Sequence, residues 1–295
     1  MRFVTFEKNK KIKVGLEILD KGIIDLKKID KEIPNNLNSL IKNYSQFEKK
    51  IKSLNKIENI HYTNLDINIL SPIPVPVRDI ICVGKNYADH AKEVQKSDFG
   101  FLERENSIPN KPIIFNKATT SVIGPNDNIE LKNDETNTTD YEGELGVVIG
   151  KKSKNIKSEN ALDIIFGYTI INDVTSRKLQ NNHKQWFIGK SPDTYCPMGP
   201  VIVTKDEIKN IDMMKVETFV NNELRQTGIT EDMIFDIPFL IETLTKSMTL
   251  VEGDIIATGT PSGVGIGFKP PKFLKAGDNI KIKIDPIGVL ENNVV

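Results

Sequence analysis

The chain has 295 residues, of which 38% are hydrophobic and 27% are charged, as in ordinary folded soluble proteins. Lys plus Arg and Asp plus Glu number 40 each, so no positive field exists to hold a nucleic-acid backbone, and we expect no nucleic-acid partner. No apolar run approaches the roughly 20 residues of a membrane span, and the first residues lack the apolar core of a signal peptide. We therefore expect a cytoplasmic protein with no membrane partner.

Residues 1–71 are predicted to form a small N-terminal α/β domain. The runs RFVTFE and KVGLEIL alternate apolar and polar side chains like short strands, and apolar residues between Leu37 and Leu54 recur at helical spacing. The run ILSPIPVPVRDI follows, and its alternate prolines hold the chain extended because each proline ring fixes the backbone and removes a donor. We place a domain boundary there, with the second domain at residues 72–295.

The second domain is predicted to consist mostly of strands. Short apolar runs such as DIICVG, GELGVVIG and FGYTIIND are separated by turn residues, and SENALDII and DMIFDIPFLIETLTKS are the clearest helical stretches. Because strands and helices do not alternate regularly, we predict an α+β fold in which this domain is β-rich. Residues 92–111 are polar with little periodicity, which predicts a mobile loop or lid.

Three carboxylates mark the ends of two apolar strands in this domain. Glu142 and Glu144 in TDYEGELGVVIG are two residues apart, and the alternation of a strand points both side chains the same way. Alone, the pair could equally be a solvated strand edge. Asp173 ends the strand FGYTIIND, so the three carboxylates can converge, and a shared cation would remove their repulsion. All-oxygen ligation favours a hard ion such as Mg²⁺ or Mn²⁺.

Two further motifs carry candidate functional groups. His90 and Glu93 in GKNYADHAKE would share one face of a helix, where the carboxylate raises the basicity of the imidazole and suits it as a general base. A surface His–Glu pair is the alternative. Lys190 in WFIGKSPDTYCPMGP is interpreted as a lone cation at a strand end, able to meet a substrate carboxylate or else simply exposed. The flanking sequence does not fit a phosphate-binding loop.

The glycine-rich segment ATGTPSGVGIGF offers backbone N–H groups and the hydroxyls of Thr258 and Thr260. These groups could bind an anion, and the alternative is a tight turn after the strand DIIAT. No helix opens after the glycines, so the segment does not fit a dinucleotide-binding fingerprint.

Taken in chain order, the segments GKNYADHAKE, DYEGELGVVIGK, GYTIINDVTSRKLQ, FIGKSPDTYCPMGP and EGDIIATGTPSGVG resemble the fumarylacetoacetate hydrolase family. The resemblance covers residues 72–295, and the whole chain is most similar to a bacterial subgroup that includes a Bacillus oxaloacetate decarboxylase. It implies a β-rich catalytic domain, a mixed β-sandwich or roll, that forms a homodimer and uses Mg²⁺ or Mn²⁺ as its cofactor.

The resemblance also implies roles for individual residues. The positions that match the family's metal ligands are Glu142, Glu144 and Asp173. The positions that match its catalytic residues are His90, Glu93 and Lys190. The positions that match its substrate-binding residues are Arg177, Gln180 and Thr260, the last as an anion-binding threonine. Lys85, also expected to bind substrate, stands where many relatives carry Arg, so the charge is kept but the bidentate fork is lost.

We therefore expect an enzyme that cleaves a C–C bond of a small 2-oxo acid through a metal-stabilised pyruvate enolate. Oxaloacetate decarboxylation, acylpyruvate hydrolysis, or both would fit this chemistry. An alternative at the same site is an isomerase or hydrolase of 2-hydroxy-diene-dioates in aromatic catabolism. A third hypothesis, from another class, is a metal-binding scaffold that keeps the fold without turnover.

Overall fold

Two large β-sheets and a third sheet of only two strands carry the backbone that positions the functional groups. The computed structural model describes residues 1–54, 60–97 and 108–295. In chain order, the strands are β1 (Arg2–Lys8), β2 (Lys11–Ile18), β3 (Gly22–Asp25), β4 (Asn68–Ile69), β5 (Ile80–Gly84), β6 (Ile113–Lys117), β7 (Val122–Ile123), β8 (Asn128–Ile129), β9 (Thr139–Asp140), β10 (Gly143–Ile149), β11 (Ile165–Asn172), β12 (Thr175–Ser176), β13 (Cys196–Thr204), β14 (Lys215–Val220), β15 (Glu223–Ile229), β16 (Ile255–Ala257), β17 (Asn279–Ile284) and β18 (Gly288–Val294). The α-helices are α1 (Leu26–Ile29), α2 (Leu37–Lys42), α3 (Tyr44–Leu54), α4 (Ala88–Lys96), α5 (Arg177–Asn182), α6 (Phe187–Lys190) and α7 (Ile237–Ser247).

The larger sheet has the strand order β3-β2-β1-β13-β11-β10-β16-β5-β6, with β4 beside β1 and β7 beside β13. Strand β1 pairs antiparallel with β13, with Phe3 opposite Ile202. The first three strands therefore extend the same sheet that carries β10 and β11. A domain boundary after residue 71 stays a prediction, and the backbone of the N-terminal segment is hydrogen-bonded to the second domain across it.

The smaller sheet has the order β15-β14-β17-β18-β8 and packs against one face of the larger sheet. Every residue of β10 and β11 is buried, which explains why both strands read as nearly continuous apolar runs. The two faces of β10 enter different cores. Val147 belongs to the core that includes residues of the smaller sheet, and Val148 belongs to the core that includes Phe3 and other N-terminal residues, as the period-two alternation requires.

The register between β10 and β11 places the acidic residues. Glu144 pairs with Ile171, and Gly143 pairs with Asn172, so Asp173 follows directly after the last paired residue of β11. The backbone N–H of Asp173 donates to the carbonyl of Glu142 at 2.8 Å. The start of one buried strand and the end of its neighbour are therefore locked together at one point of the sheet.

The α+β, strand-rich fold class is confirmed, and most predicted elements form. The apolar periodicity between Leu37 and Leu54 gives α2 and α3, while SENALDII forms a 3-10 helix at Ser158–Ile164. Of the predicted loop at 92–111, residues 92–96 belong to α4, and residues 98–107 lie outside the described residues. Within the described ranges, the helices are all too short or too polar to cross a membrane.

Candidate metal and active site

The three predicted ligands converge. One carboxylate oxygen from each of Glu142, Glu144 and Asp173 lies within 4.8 Å of the others, and all three side chains are buried. Glu142 directly precedes β10 and Glu144 lies within it, so the alternation of the strand turns both side chains to one face. The register between β10 and β11 then places Asp173 beside these two glutamates. Mg²⁺ and Mn²⁺ usually take six ligands in an octahedral arrangement, so other donors would be needed beside these three carboxylates.

Buried cations surround the acidic triad of Glu142, Glu144 and Asp173. Lys190 Nζ donates to Glu142 Oε2 and to Asp173 Oδ2, both at 2.7 Å. Arg177 Nη1 donates to Glu142 Oε1 at 2.5 Å. Lys117 Nζ lies 2.8 Å from Asp173 Oδ1, but the atoms are not aligned for a hydrogen bond, so this buried oxygen keeps a lone pair without an aligned donor. Such an oxygen fits a site for a hard cation.

The environment separates the pKa values of two neighbouring glutamates. Burial alone would raise the pKa of Glu142, but the Lys190 ammonium and the Arg177 guanidinium outweigh it and lower that pKa well below its usual range. Burial raises the pKa of Glu144 well above 4.5, and the Asp173 and Glu142 carboxylates raise it further. Glu144 therefore gains more than Glu142 from an added positive charge.

The loop at 258–260 forms hydrogen bonds to the side chain of Glu144 and to the backbone of both of its neighbours in the chain. The Gly259 N–H donates to Glu144 Oε2 at 2.8 Å, and Gly259 has a φ of +100°, a conformation that favours glycine. The hydroxyls of Thr258 and Thr260 each donate at 2.9 Å to the carbonyls of Leu145 and Gly143, which flank Glu144 in the chain. The glycine-rich segment therefore holds a carboxylate of the protein through its backbone.

His90 and Glu93 share one face of α4, as the sequence predicted. His90 is buried, and its Nδ1 lies 3.4 Å from Glu93 Oε2. Both oxygens of Glu93 accept from the Gly263 N–H, at 3.0 and 3.1 Å. A carboxylate fixed in this way orients the imidazole and leaves Nε2 as the ring nitrogen for proton exchange.

One pocket collects most of the predicted site residues. They are Lys85, His90, Glu142, Glu144, Arg177, Gln180, Lys190 and Thr260. Asp173 is fully buried behind the pocket surface, and Glu93 supports His90 from outside it. Phe115 and Trp186 form an apolar wall, with ring centroids 5.1 Å apart in an edge-to-face arrangement. The pocket is thus lined by charged residues and by two aromatic rings.

The structure changes two expectations about cationic residues. Lys190 is the last residue of α6 rather than the end of a strand, and it is buried against carboxylates rather than alone, so that interpretation was wrong. Arg177 also uses most of its guanidinium to bind carboxylates of the protein itself. Its Nε donates to Asp140 Oδ2 at 2.9 Å while Nη1 bonds Glu142, which leaves less of the fork for a substrate.

Sequence reasoning missed three buried polar residues of the site. Lys117 is the last residue of the strand IIFNK. A lysine in an apolar run was the sequence signal that could have identified it as a buried polar residue. Asp140 accepts from the N–H groups of Gly265 and Ile266 at 2.6 and 3.0 Å as well as from Arg177, and its signal was a third acid beside Glu142. Gln226 contacts Gly143 and Thr260 from the smaller sheet, and no local pattern marked it.

Comparison with known proteins identifies the family. The profile described as Fumarylacetoacetate (FAA) hydrolase C-terminal matches residues 79–295. The chain belongs to the fumarylacetoacetate hydrolase family. A curated member, oxaloacetate tautomerase YisK of Bacillus subtilis, is 48% identical, with 100% of both chains covered.

Two solved structures of the fumarylacetoacetate hydrolase family support this assignment. Fumarylacetoacetate hydrolase of Exiguobacterium antarcticum is 39% identical, with a TM-score of 0.81 over 100% of this chain and 99% of its own. Maleylpyruvate hydrolase of Sphingobium sp. SYK-6, solved with manganese(II) and pyruvate, is 29% identical, with a TM-score of 0.79 and the same coverage. The chain is an enzyme of this family, and the hypothesis of a scaffold without turnover is not retained.

Proposed function

We propose that this enzyme binds oxaloacetate or a closely similar small 2-oxo acid and catalyses reactions that pass through its enol or enolate form. The observation that carries the proposal is the buried triad of Glu142, Glu144 and Asp173, which lies at the same pocket as His90. Interconversion of the keto and enol forms of oxaloacetate is the first candidate. It is supported by the full-length similarity to a protein named as an oxaloacetate tautomerase.

The triad is proposed to hold Mg²⁺ or Mn²⁺. A divalent cation bound there supplies Lewis acidity to a 2-oxo carbonyl. The all-oxygen donor set, the unaligned oxygen of Asp173 and the raised pKa of Glu144 support the assignment. The manganese(II) in the maleylpyruvate hydrolase structure supports it as well.

The protein's own residues divide the remaining work. His90, held through Nδ1 by Glu93, is proposed to move a proton to or from C3 of the substrate through Nε2. Lys190 holds Glu142 and Asp173 in place and lies at the pocket, where its ammonium can also meet a substrate oxygen. Lys85, Gln180 and Arg177 are proposed to orient the substrate. Phe115 and Trp186 limit the access of water to the reacting atoms.

Cleavage of a C–C bond is the second candidate, and the His90–Glu93 pair favours its hydrolytic form. Decarboxylation of oxaloacetate needs no water, whereas hydrolysis of an acylpyruvate needs a base to activate one, and His90 is placed to do so. Isomerisation or hydrolysis of diene-dioates would use the same groups. A homodimer and a cytoplasmic location stay predictions from the resemblance and the composition.

The decisive test uses full-length protein stripped with a chelator and then supplied with oxaloacetate, with and without Mn²⁺ or Mg²⁺. The ultraviolet absorbance of the enol follows tautomerisation, and an assay for pyruvate follows decarboxylation. Both need a metal-only control, because free metal ions decarboxylate oxaloacetate. We expect metal-dependent loss of the enol signal, abolished in Glu144→Ala. Metal binding without either reaction would contradict oxaloacetate as substrate and direct the test to acylpyruvates and dioates.

A further inference from the structure

One short stretch of backbone holds two carboxylates of the protein. The Gly263 N–H donates to both oxygens of Glu93, at 3.0 and 3.1 Å. The N–H groups of Gly265 and Ile266 donate to Oδ1 and Oδ2 of Asp140, at 2.6 and 3.0 Å. The two acceptors come from different parts of the fold, since Glu93 lies in α4 and Asp140 is the last residue of β9. Their positions are therefore set by the same few residues.

The loop at 263–266 approaches both carboxylates more closely than a side chain would allow. A Cβ on Gly265 would lie 2.6 Å from Asp140 Oδ1. A Cβ on Gly267, the residue after the loop, would overlap Glu93 Oε1. Glycine permits this approach because it has no Cβ. The loop is thus packed against Asp140 and Glu93 at once, so a shift away from one carboxylate changes its contact with the other.

Each oxygen of Asp140 already accepts two hydrogen bonds. Oδ1 accepts from the N–H groups of Tyr141 and Gly265. Oδ2 accepts from the Ile266 N–H and, at 2.9 Å, from Arg177 Nε. These four donors occupy the roughly four lone-pair sites of a carboxylate, and Asp140 is fully buried. Any change in the orientation of this carboxylate therefore affects the loop and Arg177 together.

Arg177 extends the connection to the metal site. Its Nη1 donates to Glu142 Oε1 at 2.5 Å while its Nε donates to Asp140. Arg177 and Glu142 line the pocket together with His90, whereas Asp140 does not. A continuous series of contacts therefore runs from His90 and Glu93 through the loop to Asp140, and from there to Arg177 and Glu142.

We propose that Asp140 is a positioning residue that couples the orientation of the His90–Glu93 pair to that of Arg177 through the loop at 263–266. Because Asp140 does not line the pocket, it acts only through the loop and the guanidinium. The inference rests on the proposed function for the roles of His90 and Arg177, but the coupling is a property of the protein without substrate. Coupling between two sites is reciprocal, so the loss of either carboxylate should weaken the hydrogen bonds of the other.

The test is residue-resolved hydrogen exchange, measured by nuclear magnetic resonance on the full-length protein after chelation and again with Mg²⁺. In Asp140→Asn the amide has one oxygen, so its NH₂ group faces two donors in either orientation. The N–H groups of Gly265 and Ile266 should exchange about tenfold faster or more. The decisive N–H is that of Gly263, whose acceptor Glu93 is unchanged, and it should exchange about threefold faster or more.

Glu93→Ala tests the same coupling from the other end. It removes the acceptor of Gly263 and should speed the exchange of Gly265 and Ile266 by about threefold or more, although Asp140 is unchanged. The side chain of Glu93 is 17% exposed, so we expect this variant to fold even if Asp140→Asn does not.

Asp134→Asn is the matched control. Asp134 is a buried carboxylate, and among the described residues its side chain accepts hydrogen bonds from Thr136, Thr138 and Thr139 rather than from the loop. This variant loses acceptors as Asp140→Asn does, but exchange at Gly263 should stay within about twofold of wild type.

A double variant connects the coupling to the reaction. If Asp140 acts through Glu93, the loss of turnover in Asp140→Asn/Glu93→Ala should be smaller than the product of the two single losses, by about threefold or more. Independent structural damage at the two positions would multiply instead.

Three results would overturn the proposal. In the first, Asp140→Asn leaves exchange at Gly263 unchanged and Glu93→Ala leaves Gly265 and Ile266 unchanged. In the second, Asp134→Asn speeds Gly263 as much as Asp140→Asn does, which would mean general loosening. In the third, the two losses of turnover multiply. Absence of oxaloacetate turnover in a protein that shows the coupled exchange would instead contradict the proposed function and leave this inference standing.

Discussion

Lys190 donates a hydrogen bond of 2.7 Å from Nζ to Oε2 of Glu142, and both side chains are buried. The same ammonium reaches Asp173, so it lies between two of the three carboxylates that we assign to the metal. Burial alone would lower the pKa of Lys190, but the Asp173 and Glu142 carboxylates outweigh it and raise that pKa. The protein's own Lys190 thus supplies a positive charge to these carboxylates.

We expect Lys190→Met to destabilise the chelator-treated protein by about 3–5 kcal/mol, because removing one partner of a buried ion pair leaves the other charge uncompensated. Added Mn²⁺ should restore part of the loss, since it brings positive charge to the same carboxylates. Urea unfolding with chelator and with Mn²⁺ measures both effects. The control is Lys132→Met, whose exposed ammonium pairs with Glu130 and should be worth less than about 1 kcal/mol. Equal losses in the two variants would contradict the prediction.

Glu144→Gln should change how the stability of the metal-free protein depends on pH. The raised pKa of Glu144 means that its proton stabilises the fold at low pH, and that this contribution is lost as pH rises from 4.5 through the higher folded-state value. Wild type should therefore fall in stability relative to Glu144→Gln over that window. The difference between the two unfolding free energies at each pH isolates the contribution of Glu144 to stability. A difference that does not change with pH would refute the raised pKa of Glu144.

His90→Ala should reduce turnover by about 10²–10⁴-fold if His90 moves a proton in the reaction. Hydrolysis of an acylpyruvate should fall more than decarboxylation of oxaloacetate, because only hydrolysis needs an activated water. Lys92→Ala, an exposed position on the same helix, is the matched control. The measurement is the rate for each substrate at saturating Mn²⁺, together with Mn²⁺ affinity, which His90→Ala should leave unchanged. Equal loss of both reactions would argue against the division.

Gly263→Ala should impair both stability and turnover. A Cβ at this position would lie 1.9 Å from the Arg225 carbonyl oxygen, and the φ of +106° adds strain. We expect a loss of about 2–4 kcal/mol in unfolding free energy and a fall in turnover, because the N–H that holds Glu93 would move.

Gly277→Ala provides the control for this strain. Gly277 has a φ of +92°, but a Cβ there would meet nothing within 4 Å, so only the backbone cost of about 1–2 kcal/mol applies. Turnover should be unchanged in Gly277→Ala. Similar losses of stability and turnover in the two glycine variants would show that crowding by a Cβ at Gly263 does not displace the N–H that holds Glu93.

Local geometry made much of the site predictable from sequence. The period of two in a strand is enough to place Glu142 and Glu144 on one face, and the helical spacing of His90 and Glu93 is enough to bring those side chains together. The apolar runs also predicted the strand-rich α+β class. These relationships depend on a few neighbouring residues, so the chain itself carries them.

Only the tertiary structure decided which distant groups complete the site. Lys117 and Lys190 both contact Asp173, and Gln226 of the smaller sheet donates to Thr260. These contacts form because both faces of the larger sheet are buried, and that packing decides which strands and loops are neighbours. The donor and acceptor roles of the Thr260 hydroxyl depend on two such partners at once, the Gly143 carbonyl and the Gln226 amide. No local pattern encodes them, since a hydroxyl takes the donor or acceptor role that its packed neighbours leave open.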